Sequence, residues 1–197
     1  DEMKAALDGV LGSGRFAGAV DRERIAVGGH SFGGFTALGL CGTLPERRDR
    51  RVKGVLLFST GAGGYLYTAE ELAAVRMPAL LFLGEREREQ KRGEQPMAVL
   101  SEKIYAALSP PKYFLEVKGA SHFSFNNRFA DTLGARLLSC SEEEFEVIRK
   151  YSIAFLEKHV AGQAGADGIL ARQDPLLSRY QRATGEPEPP QAARACP

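Results

Sequence analysis

Ile25-Ala26-Val27-Gly28-Gly29-His30-Ser31-Phe32-Gly33-Gly34 is the stretch on which the fold turns. A short apolar run enters a cluster of glycines that holds one serine, and Phe35 to Cys41 beyond it has helical character. Gly29-His30-Ser31-Phe32-Gly33 therefore fits the pattern G-x-S-x-G between a strand and a helix. That spacing has a physical cause. A sharp strand-to-helix turn forces the serine into a strained backbone conformation, and the side chains around it must be small. Ser31 Oγ then stands exposed above the sheet. The following helix turns its N-terminus to the same point, which favours developing negative charge. The Phe32 N–H is placed to donate to an oxyanion. A phosphate-binding loop fits less well, because Gly28 to Gly34 lacks a Gly-Lys-Ser/Thr ending, and His30 breaks G-x-G-x-x-G. The plain alternative is a glycine-rich turn with an incidental serine, against which the flanking strand and helix weigh.

Outward from this turn the chain alternates strands and helices. Met3, Ala6, Leu7, Val10 and Leu11 stand at helical spacing until Gly12, Gly14 and Gly18 break the pattern. Val52–Phe58 reads as a second buried strand, ending in Ser59-Thr60-Gly61. Pro78–Leu83 is a third, ending in Gly84. Met97–Leu108 is helical, with Val99, Leu100, Ile104 and Leu108 on one stripe. Tyr113–Val117 is a fourth strand, running into Lys118-Gly119-Ala120-Ser121-His122. Ser141-Glu142-Glu143-Glu144 forms a capping box that opens a helix to about His159. After Ala161 the periodicity fades. Four of the ten prolines fall within the last eleven residues, which marks 161–197 as a partly disordered extension of a domain over 1–160.

Continuous apolar strands alternating with helices imply an α/β fold, a parallel sheet covered on both faces. In such sheets the site lies at the carboxyl ends of the strands. Three of the four strand ends carry a chemical group: Ser31, the acidic run after Gly84, and His122.

A serine hydroxyl is a weak nucleophile until a base takes its proton, and histidine is the usual base near neutral pH. His30 is adjacent to Ser31, and neighbouring side chains diverge on a tight turn, so it reads as a support residue. His159 ends the last helix and reads as a charge at its C-terminus. His122 follows the fourth strand, where it can hang over the sheet edge toward Ser31, and is the candidate base. The imidazolium needs an oriented carboxylate. Gly84-Glu85-Arg86-Glu87-Arg88-Glu89 follows the third strand, and any of its three glutamates fits that role by position.

Composition narrows the partners. The chain has 197 residues, 26 basic and 25 acidic side chains and a formal charge of +1. That balance excludes a dedicated nucleic-acid binder, which needs a basic face. No apolar run reaches the roughly 18 residues of a membrane span. Cys41, Cys140 and Cys196 are too few and too scattered for a disulfide scaffold or a zinc site. Cys41 and Cys140 read as small buried hydrophobes. No metal or other cofactor is implied. The chain begins at Asp1 rather than Met, as a processed or partial chain does, and so says nothing about export.

Gly-His-Ser-Phe-Gly-Gly after a strand, an acid after Pro-Ala-Leu-Leu-Phe-Leu-Gly, and Ala-Ser-His-Phe-Ser-Phe resemble the α/β-hydrolase superfamily over residues 1–160. The order Ser31, glutamate, His122 is that superfamily's order. Within it the chain is most similar to the branch of dienelactone-hydrolase-like and platelet-activating-factor-acetylhydrolase-like enzymes. The resemblance implies a serine esterase with Ser31 as nucleophile, because dienelactone hydrolases carry cysteine there. It places the acid at Glu87, in a position where the branch commonly has aspartate, with Glu85 second. It also implies four further strands before the turn strand, expected to precede residue 1. The remainder is a parallel half-sheet with flanking helices and β-edge exposure at Ile25–Gly28.

The implied function is hydrolysis of a small carboxylic ester without a cofactor. A peptidase, amidase or thioesterase of the same fold is the nearest alternative, and a non-catalytic binding module of this fold is the alternative of another class. Tyr65 and Phe123 are candidate substrate-binding residues, with Phe32 and Phe125 as further aromatic walls. Arg128, after Asn126 and Asn127, is a candidate partner for a substrate carboxylate, although exposed arginines more often bind nothing.

Overall fold

The structure, a computed structural model, describes residues 2–16, 18–125 and 141–185. In chain order the elements are α1 (Glu2–Gly12), β1 (Ile25–His30), α2 (Phe32–Leu38), β2 (Val52–Phe58), α3 (Gly61–Leu66), α4 (Ala69–Ala73), β3 (Ala79–Gly84), β4 (Lys91–Arg92), β5 (Gln95–Pro96), α5 (Met97–Ala107), β6 (Lys112–Val117), α6 (Glu142–His159), α7 (Asp167–Leu170) and β7 (Leu177–Ala183). The main sheet has the order β1-β2-β3-β6-β7. Its first four strands are parallel, and β7 pairs antiparallel to β6. These four are the strands expected from the apolar runs. Two-residue β4 and β5 form a separate small hairpin.

Alternation along each strand divides the core between the two faces of the sheet. Val55, Leu57, Leu81, Leu83 and Phe114 pack on one face with Leu38, Cys41, Met97 and Ile104 from the helical side. Leu56, Leu80, Phe82, Tyr113 and Leu115 face the other way, against Val147, Ile148, Tyr151 and Phe155 of α6. Both faces are covered, so β3 is buried along its whole length and β2 and β6 carry apolar runs that serve both faces, as parallel strands with crossover helices do. Cys41 is fully buried in the first of these cores, and burial pushes its thiol up to about 12.

α6 begins as its sequence dictates. The Ser141 side chain accepts from the Glu144 N–H, and the Glu144 carboxylate accepts from the Ser141 N–H. Its last residue departs from expectation. His159 is not a solvated charge. It packs against Phe155 and shares a 3.0 Å hydrogen bond with the Tyr113 hydroxyl, and burial, helped by Lys158, lowers its pKa to about 4.

Folded elements continue past residue 160, where the periodicity fades. α7 follows α6, and β7 closes the β6 edge of the sheet through Ala183. Little in β7 signals a strand, because its side chains are mostly amphipathic. Arg179 lies over the Phe114 ring and Tyr180 packs on Tyr151, so apolar stems and rings do the covering. Residues 186–197 lie outside the described residues. Among the described residues, β1 is the edge strand at the opposite end of the sheet. No described helix is long and apolar enough to cross a membrane.

Candidate active site

The site assembles at the carboxyl edge of the four parallel strands. His30 of β1 is level with Phe58 of β2, so Ser31 and Ser59 leave adjacent strands side by side. Glu87 sits in a 3₁₀ turn directly after β3, and His122 lies in the loop after β6.

Ser31 has φ 55° and ψ −121°, in the left-handed half of conformational space where a non-glycine residue is strained. Its N–H donates to the Phe58 carbonyl at 2.9 Å, and its hydroxyl makes no cap to α2. Two glycines make the turn possible. A Cβ on Gly29 would sit 2.2 Å from the Gly33 backbone, and one on Gly34 would sit 2.0 Å from Thr60 Oγ1. Gly33 itself has open space where a Cβ would go.

His122 Nε2 lies 3.0 Å from Ser31 Oγ, and Nδ1 lies 2.8 Å from Glu87 Oε2. Glu87 is fully buried, and its other oxygen accepts from the Gly84 N–H at 2.9 Å. The three glutamates left open by position are therefore sorted by the turn. Glu87 points inward to His122. Glu85 accepts from the Gly119 N–H at 2.9 Å and ties down the start of the histidine loop. Glu89 is exposed beside Arg88.

His30 supports the same loop. Its Nε2 lies 2.7 Å from the His122 carbonyl oxygen, and the two rings are 4.7 Å apart. A carbonyl only accepts, so His30 carries its hydrogen on Nε2. Burial holds its pKa below the ordinary imidazole range, which keeps the ring neutral near pH 7. Ser121 N–H donating to Ser124 Oγ at 2.8 Å closes the turn on the other side of His122.

Ser59 is a residue that the motif reading passed over. It is fully buried, with φ 52°. Its hydroxyl donates to Glu87 Oε2 at 2.5 Å and lies 2.6 Å from His122 Nδ1. The signal was present: a polar residue ends the second strand at the level where the first ends in Ser31.

The aromatic candidates separate. Phe32 and Phe123 are both exposed, and the Phe123 ring meets His122 edge-on at 5.4 Å. Phe125 instead packs inward against Phe58 and Phe82. Tyr65 lies over Gly93 of the β4–β5 turn and lines a cleft of about 370 Å³ with Gly64, Glu94, Gln95 and Lys103. No residue of the Ser31–His122–Glu87 chain lines that cleft. Asn126, Asn127, Arg128 and Cys140 lie outside the described residues, as does Cys196. Among the described residues, no three His, Cys, Asp or Glu side chains gather as a metal-ligand set.

The family model described as platelet-activating factor acetylhydrolase, isoform II, matches residues 1–169, a span that holds Ser31, Ser59, Glu87 and His122. The chain belongs to the platelet-activating factor acetylhydrolase, isoform II, family. The resemblance read from the Gly-His-Ser-Phe-Gly-Gly turn thus stands, and the fold is the expected α/β one, a mostly parallel sheet with flanking helices. In this family member β7 lies beyond the matched span. Among solved structures, a dienelactone hydrolase from Anabaena variabilis ATCC 29413 is similar at 24% identity and a TM-score of 0.40. The match covers 58% of this chain and 46% of that one, so the chain spans under half the length of that hydrolase. Comparison with curated proteins returned no match.

Proposed function

We propose that the protein is a serine hydrolase that cleaves carboxylic esters. The observation that carries this is the hydrogen-bonded chain Ser31 Oγ, His122 Nε2, His122 Nδ1, Glu87 Oε2, with steps of 3.0 and 2.8 Å. It has the members and the order of a nucleophile, its base and the acid that orients the base. The family's description, which names an acetylhydrolase, supports an ester with a short acyl group.

In this mechanism Ser31 Oγ attacks the ester carbonyl while His122 Nε2 takes its proton. The tetrahedral oxyanion receives a hydrogen bond from the Phe32 N–H, which has no acceptor within its own helix because it belongs to the first turn. His122 returns the proton to the leaving alcohol. Water then attacks the acyl-enzyme, His122 takes its proton and passes it to Ser31, and the carboxylic acid departs. Glu87 holds the imidazole and stabilises its charge when protonated. Phe32 and Phe123 offer apolar walls beside the reacting carbon. In this reading Tyr65, which lines a separate cleft, contacts a substrate long enough to extend beyond them.

A series of p-nitrophenyl esters from acetate to octanoate tests this. The expected outcome is turnover that is fastest for the short acyl chains and lost in Ser31→Ala. A folded protein that hydrolyses none of the esters, or a Ser31→Ala variant as active as wild type, overturns the proposal.

A further inference from the structure

We infer that Ser59 is a positioning residue for the acid side of the site, fixing both the Glu87 carboxylate and the hydrogen on His122 Nδ1. The inference rests on the esterase reading above and adds a fourth strand end to it. Each parallel strand of the sheet then contributes one group: β1 Ser31, β2 Ser59, β3 Glu87 and β6 His122.

Hydrogen counting gives Ser59 its role. A serine hydroxyl has one hydrogen, and an ionised carboxylate can only accept. With Oγ 2.5 Å from Glu87 Oε2, that hydrogen goes to Glu87. The lone pairs of Ser59 Oγ then face His122 Nδ1 at 2.6 Å, beside Glu87 Oε2 at 2.8 Å. Nδ1 thus meets two acceptors, and it carries the hydrogen. Nε2 is left bare toward Ser31 Oγ, which is the tautomer that can accept the nucleophile's proton.

Glu87 needs such a partner. A glutamate has one more rotatable bond than an aspartate, and so more freedom to lose when it is held in one pose. The Gly84 N–H fixes Oε1 and the Ser59 hydroxyl fixes Oε2. Both oxygens of a carboxylate with no solvent contact are thereby hydrogen-bonded. The backbone at Ser59 is also unusual. A φ of 52° favours glycine, so serine at this position retains its hydroxyl against conformational preference.

That preference supplies the test, because Ser59→Gly removes the hydroxyl while easing the backbone. Steady-state kinetics with p-nitrophenyl acetate are measured on wild type, Ser59→Gly, Glu87→Gln and the double variant, with Ser31→Ala as the control for the esterase reading. Ser59→Gly is expected to lose about 10-fold in kcat with KM within about 2-fold and an undiminished melting temperature. In the Glu87→Gln background the same change moves kcat by less than about 2-fold, because the group it positions is already gone. A purely structural residue gives the same loss in both backgrounds. Ser59→Cys, which keeps the volume and replaces a strong donor by a weak one, falls in the same direction as Ser59→Gly and serves if the glycine variant does not fold. Wild-type kcat in Ser59→Gly, or an equal loss in both backgrounds, overturns the inference while leaving the esterase intact. Wild-type turnover that survives Ser31→Ala overturns the esterase reading, and the inference with it.

Discussion

At the scale of single residues, the turn around Ser31 makes unequal demands on its glycines. A methyl group on Gly29 collides with the Gly33 backbone, whereas one on Gly33 meets nothing within 4 Å. Gly29→Ala is expected to cost about 2–3 kcal/mol through forced backbone shifts. Gly33→Ala, inside α2, is expected to be neutral or to stabilise by up to about 1 kcal/mol. Urea unfolding midpoints of the two variants check this, and equal destabilisation contradicts it. The glutamates make a second contrast. Glu87→Gln is expected to lower kcat by roughly 10²- to 10⁴-fold, because it removes the charge opposite His122 Nδ1. Glu85→Gln, which keeps an acceptor for the Gly119 N–H, is expected to cost less than about 10-fold. Ser31 and His122 were legible in the sequence because each follows an apolar strand and has distinctive chemistry. Glu87 was not separable from Glu85 by chain position, since a single 3₁₀ turn sends the two side chains in different directions. Ser59 was hidden for another reason: serine is common at loop starts, and only the sheet register sets it against Glu87.

At the scale of elements, α6 and β7 hold the far side of the sheet. His159, at the end of α6, titrates near 4 in the fold against about 6.5 for a free imidazole. Between those values the unfolded chain binds the proton and the folded one does not. Stability therefore rises with pH across this window: the contribution is complete above about pH 6.5 and lost by about pH 4. The expected outcome is that the loss of stability between pH 7 and pH 4.5 shrinks in His159→Phe, as read from urea midpoints at the two pH values. An unchanged difference contradicts it. The sequence placed α6 well, because its capping box and apolar spacing agree. It missed β7, where only Leu177 is buried fully and the remaining cover comes from arginine stems and a tyrosine ring. It missed the short α3 and α4 as well, which are too brief for helical spacing to register.

At the scale of the whole molecule, sheet topology brings together groups that the chain keeps far apart. Ser31 and His122 are separated by 91 positions in sequence, yet lie 3.0 Å apart because their strands run parallel and end at one edge. The two faces of the sheet carry the stability, and the edge carries the chemistry. A cavity of about 620 Å³ between α1 and α2, lined by Met3, Phe35, Leu40 and Tyr67 among others, contains none of the residues of that edge. The central claim is that Ser31 is a nucleophile activated by His122. Its most direct measurement is labelling of the folded protein with a fluorophosphonate, followed by mass-spectrometric location of the adduct. The expected result is a single adduct on Ser31, absent in Ser31→Ala and formed far more slowly in His122→Ala. A folded protein that takes no label, or takes it at another residue, contradicts the account.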